Sequence, residues 1–130
     1  MFNDISYINL YNKNSEALIA FYRDIVGIDA KDPNADPKTT KWYGFETEGA
    51  TLAIEKESSR DKIPFSFNRD NPVPIQFRAD SLEELQTMSE HLKSKGVALL
   101  AECKEKNYGV ITNFLDPDGN LLEILYEPKK

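Results

Sequence analysis

Two stretches of the chain run through the same series of hydrophobic patterns. In the first, residues 4–11 alternate, with Ile8 and Leu10 to one side and Tyr7, Asn9 and Tyr11 to the other, the spacing of a half-buried strand. Asn14 and Ser15 are good N-cap residues. Ala17, Leu18, Phe21, Tyr22 and Ile25 then recur at helical spacing, which predicts an amphipathic helix over 15–26 with Gly27 as its C′ residue. Residues 28–41, with Pro33, Pro37 and interspersed Asp and Lys, read as a short strand start and an exposed loop. Residues 42–47 and 50–56 form a hairpin around Glu48-Gly49. Leu52 and Ile54 share one face of its return strand, opposite Thr51, Ala53 and Glu55.

Residues 57–72 are polar, broken by Pro64 and carrying Phe65 and Phe67, and read as a linker. The series then restarts. Ile75, Phe77 and Ala79 alternate with Gln76 and Arg78 in a strand that Pro74 can only open. Ser81 and Glu84 make a capping box, and Leu85, Met88 and Leu92 mark a helix to Lys95, with Gly96 as its C′ residue. A strand over 97–102 and a polar loop over 103–108 follow. The chain closes in a hairpin, 110–115 and 121–126, around Asp116-Pro117-Asp118-Gly119, a type I turn sequence. Gly27 returns as Gly96, and the Leu52/Ile54 pair as Leu122/Ile124, at an offset of about 70 residues. Glu123 stands alone among these features, a carboxylate in mid-strand on a face shared with Leu121 and Leu125. It costs free energy there unless it is paired or the face lines a wet cavity.

At 130 residues and 40% hydrophobic composition, the chain reads as one folded domain. A net charge of −6 counts against nucleic-acid binding, which wants a basic stripe. Cys103 is the single cysteine, so neither an internal disulfide nor a cysteine-rich zinc site is available. No apolar run approaches membrane-spanning length and no leader-like apolar segment opens the sequence. The expected setting is the cytoplasm, away from any membrane.

The Phe21-Tyr22 pair followed by Val26-Gly27, and the closing DPDGN-LLEI stretch at 116–124, resemble the vicinal oxygen chelate superfamily. That group includes glyoxalase I, bleomycin-resistance proteins, fosfomycin-resistance enzymes and extradiol dioxygenases. The resemblance runs over essentially the whole chain. It implies an α+β fold of two βαβββ modules, here 1–57 and 73–130 around the linker 58–72, whose curled sheets form a cavity with the helices outside. In metal-using members the ligands come from the first and last strands of each module. Residue by residue, those positions fall on Tyr7, Ala53, Pro74 and Glu123, with Glu55 two residues further on the face of Ala53. Only Glu123 matches the required chemistry, since alanine and proline bring no donor and neutral tyrosine is a poor one. His91 is the sole histidine, placed in the second helix beside Ser89, Glu90 and Lys93 on what reads as an exposed face. An extradiol site, which needs two histidines and a carboxylate, is therefore not expected. Nor is a bound cofactor; nickel or zinc would find a vestigial set.

The resemblance then implies a cavity face of Tyr7, Asn9, Tyr11, Ala53, Glu55, Gln76, Arg78, Leu121, Glu123 and Leu125, a mixture suited to a small molecule. The leading expectation is a protein that binds or sequesters a small molecule in an acidic, aromatic pocket, as bleomycin-resistance proteins do. The alternative is a lyase or isomerase of the glyoxalase I type, with Glu123 as base and Tyr7 or Arg78 stabilising an enolate. A regulatory module with a vestigial pocket is the third reading, and whether the chain is an enzyme stays open. Arg78 is also a candidate to clamp Glu123. The resemblance further implies a homodimer.

Overall fold

The computed structural model describes residues 2–12, 14–56 and 73–128; the linker expected over 58–72 lies outside them. Two compact units result, each mixing α and β. The first holds β1 (Tyr7–Asn12), α1 (Ser15–Ala20), β2 (Trp42–Phe45) and β3 (Thr51–Lys56). Its sheet runs β1–β3–β2, with β1 parallel and β2 antiparallel to β3. The second holds β4 (Ile75–Ala79), α2 (Leu82–Ser94), β5 (Leu99–Lys106), β6 (Gly109–Leu115) and β7 (Leu121–Tyr126). Its sheet runs β4–β7–β6–β5, with β4 parallel to β7. In each unit the helix lies between the parallel strands in sequence, as a parallel pair requires.

The apolar pairs predicted to repeat do the same work in both units. Leu52 and Ile54 are buried in a core with Leu18, Ile19, Tyr22 and Phe45, and Leu122 and Ile124 in one with Leu85, Leu92 and Phe114. Asn14 caps α1 by accepting the Ala17 N–H at 3.3 Å. Ser81 caps α2 by accepting the Glu84 N–H at 3.0 Å, while the Glu84 carboxylate takes the Asp80 N–H at 2.8 Å.

Three local readings of the sequence need correction. The first helix is not α-helical throughout: residues Phe21–Val26 are a π-helix that ends on Gly27 at φ +88°. The wider turn lets the adjacent Phe21 and Tyr22 both sink into the core, their rings 5.6 Å apart edge to face. Ser89 is fully buried, not on an exposed face. Its hydroxyl donates to the Leu85 carbonyl at 2.7 Å and lies 2.7 Å from the Thr112 hydroxyl, so both polar groups are satisfied inside the core. Residues 103–106 extend β5 where a loop was expected. Cys103, at φ +45°, sits where the β5–β6 register shifts, and such a bulge breaks the period-two alternation by which a strand is recognised.

The closing turn is held by a side chain. Asp116 is 4% exposed, and its carboxylate accepts the Asp118 N–H, the Asn120 N–H and the Asn120 side-chain amide at 2.9, 2.9 and 2.8 Å. Gly119, at φ +83°, completes the turn. Among the described residues no helix is long and apolar enough to cross a membrane.

Hydrogen bonds to a buried carboxylate are the strong kind, so Asp116→Ala is expected to lower unfolding stability by about 2–3 kcal/mol. Ser81→Ala, which removes one exposed cap, should cost about 1 kcal/mol. Urea unfolding of both variants checks the order; an Asp116 variant no weaker than the Ser81 variant would mean that the carboxylate does not hold the turn.

Candidate functional site

In the second unit, β7 is flanked by β4 and β6, and the ladder registers align Gln76 with Glu123 and Glu123 with Asn113. Residues directly opposite in neighbouring strands project to the same face, so the three make one polar row across the sheet. Leu121 and Leu125, two residues to either side of Glu123, share that face by alternation. Glu123 is only 9% exposed. Gln76 Nε2 donates to its Oε1 at 2.6 Å. A carboxylate has about four acceptor positions, and among the described residues no cationic side chain pairs with it. Asn113 Oδ1 is buried with no hydrogen-bond partner, a group that costs free energy as it stands. The row therefore carries buried acceptor capacity that the protein leaves open.

One expectation about this row changes. Arg78 does not clamp Glu123: its Nε pairs with Asp80 at 3.3 Å, both side chains being well exposed, and its ladder partner is Leu125. Gln76 stands opposite Glu123, and Pro74 precedes β4. Asn113 was missed by the sequence reading. It lies in a strand between Thr112 and Phe114, and only the register reveals that it abuts Glu123.

In the first unit the matching row is Asn9, Ala53 and Gly44, with Tyr7 opposite Thr51 and Tyr11 opposite Glu55 on the same face. It is filled by the Trp42 side chain. A Cβ on Gly44 would lie 2.6 Å from the indole Cη2 and 2.8 Å from Cζ3, so only glycine lets the ring lie flat here. The indole N–H donates to Asn9 Oδ1 at 2.9 Å, and the Tyr7 ring meets it edge-on at 6.1 Å. Since β3 lies between β1 and β2, the indole reaches across Ala53, which is fully buried.

These residues do not fit the metal that the resemblance implies. Ala53 and Pro74 have no donor atom, and the Trp42 indole covers Ala53. Gln76 presents its amide nitrogen, a donor, to Glu123. His91 belongs to α2 and is exposed. Among the described residues no three His, Cys, Asp or Glu side chains cluster as a metal site would.

Comparison with known proteins agrees with the fold. The family model described as the glyoxalase/bleomycin resistance protein/dioxygenase superfamily matches residues 4–124. A manganese-dependent 2,3-dihydroxybiphenyl 1,2-dioxygenase from Geobacillus genomosp. 3 is 30% identical over 126 residues, covering 95% of this chain. The chain spans only 36% of that relative's length. Among solved structures, a glyoxalase/bleomycin resistance protein/dioxygenase from Nocardioides has a TM-score of 0.77 at 18% identity, covering 100% of this chain and 90% of its own. A lactoylglutathione lyase from Agrobacterium tumefaciens has a TM-score of 0.72 at 22% identity, covering 97% and 95%. With the family model matching residues 4–124 and both sheets of the fold in place, the chain belongs to the glyoxalase/bleomycin resistance protein/dioxygenase superfamily.

Proposed function

We propose that this chain binds a small, hydrogen-bond-donating molecule at the Gln76–Glu123–Asn113 row, in the manner of the metal-independent binding members of its superfamily. The observation that carries the reading is the unsatisfied acceptor capacity of that row. Glu123 is nine-tenths buried and receives a single amide bond, and Asn113 Oδ1 beside it receives none. A ligand amine, amidinium or hydroxyl placed between them satisfies both, and charge-assisted bonds to a carboxylate are about twice as strong as neutral ones. Leu121 and Leu125 supply apolar walls on the same face. The one histidine of this sequence falls short of the two-histidine, one-carboxylate set that extradiol chemistry uses.

The test is thermal unfolding against a library of small amines, amidines and polyols, with nickel, zinc and manganese run alongside. A ligand of the folded state at one hundred times its Kd adds about 2.7 kcal/mol of stability, which moves the midpoint clearly. At least one amine or amidine is expected to raise the midpoint, the metals are not, and Glu123→Gln should weaken the amine at least tenfold. A metal-induced rise that disappears in Glu123→Ala would overturn the reading and direct the work to lyase assays.

A further inference from the structure

The first unit holds a cavity of its own. The segment after Gly27 runs alongside β2: Ala30 bridges Phe45, the Lys31 N–H donates to the Gly44 carbonyl at 2.8 Å, and the Glu46 N–H to the Asp29 carbonyl at 2.9 Å. These bonds hold Lys31 beside Gly44, the residue over which the indole lies. Between them is a cavity of about 320 Å³ lined by Lys31, Asp32, Thr40, Trp42 and Gly44. That size is at the lower end for small-molecule pockets.

Most of the polar groups around it are engaged, and the Lys31 ammonium is the one cation among its lining residues. The indole N–H is bonded to Asn9. The Thr40 hydroxyl donates to the Trp42 carbonyl at 2.7 Å, and the Asp32 carboxylate holds the Asn34 N–H at 3.0 Å. The Lys31 ammonium has three N–H donors. It contacts the Thr51 hydroxyl at 3.3 Å and the Tyr7 ring at 5.6 Å, and among the described residues no carboxylate lies within ion-pair distance of it. The cavity thus sets an aromatic wall next to a cation with donors to spare.

We infer that this cavity is a binding site for a small planar aromatic anion, its ring against the Trp42 indole and its carboxylate on the Lys31 ammonium. The Glu123 row belongs to the other unit.

Trp42 is the only tryptophan, so its indole N–H gives one resonance in a nitrogen-correlated spectrum and reports on this site without assignment. Titration with 2-naphthoate is expected to move that peak saturably, while acetate, which lacks the ring, and 2-naphthylmethylamine, which reverses the charge, leave it in place up to about 10 mM. Lys31→Met should weaken 2-naphthoate at least tenfold and Lys31→Arg should largely restore it, since Lys31 is an exposed side chain whose loss does not threaten the fold. Gly44→Ala, which forces the indole aside, should also reduce binding. No saturable shift with 2-naphthoate, an equal response to the amine, or Lys31→Met binding as tightly as the unaltered chain would each overturn the inference.

Discussion

A carboxylate held nine-tenths buried in mid-sheet by a single amide hydrogen bond is the constraint on which the functional account depends. Burying such a group is unfavourable unless its acceptors are used, and the protein uses one. What keeps Glu123 in place is the rest of β7. Leu122 and Ile124, on the opposite face, are buried in the core with Leu85 and Phe114, and the ladders to β4 and β6 fix the register on both sides. A central strand with an apolar face anchored in this way can hold a poorly satisfied polar row rigidly on its other face. Rigidity of that kind lowers the ordering cost of binding.

The two units put one pattern of elements to different uses. In the second, the row across the sheet is Gln76, Glu123 and Asn113, all polar. In the first it is Asn9, Ala53 and Gly44, where two small residues make room for the Trp42 indole. That indole presents an aromatic surface beside Lys31.

Much of this was legible in the sequence, for physical reasons that differ by element. The helix–glycine junctions at Gly27 and Gly96 announce themselves because a left-handed C′ position all but demands glycine, and the 116–119 turn because its Asp, Pro and Gly each meet a separate requirement. The apolar pairs Leu52/Ile54 and Leu122/Ile124 follow from alternation. What escaped were features in which tertiary context overrides period. The π-helix at Phe21–Val26 has no signature at helical spacing. The buried Ser89 looks like a surface residue until Thr112 is seen to satisfy it. Cys103–Lys106 looks like a loop because its bulge destroys the alternation. In the site, Glu123 stood out as a charge among leucines. Its neighbours Gln76 and Asn113 could be identified only from the ladder register, which a single sequence does not display.

If Glu123 and Gln76 are kept for a ligand, the fold should not need them. The most direct measurement is the urea unfolding stability of the double variant Gln76→Leu, Glu123→Leu, which replaces the buried carboxylate and its exposed amide partner by apolar groups of similar size. Removing both partners of a part-buried hydrogen bond together leaves neither unsatisfied, and such exchanges are often neutral or stabilising. The account predicts a double variant at least as stable as the unaltered chain. A loss of more than about 2 kcal/mol, on the scale of a disrupted structural network, would contradict it and make the row part of the scaffold.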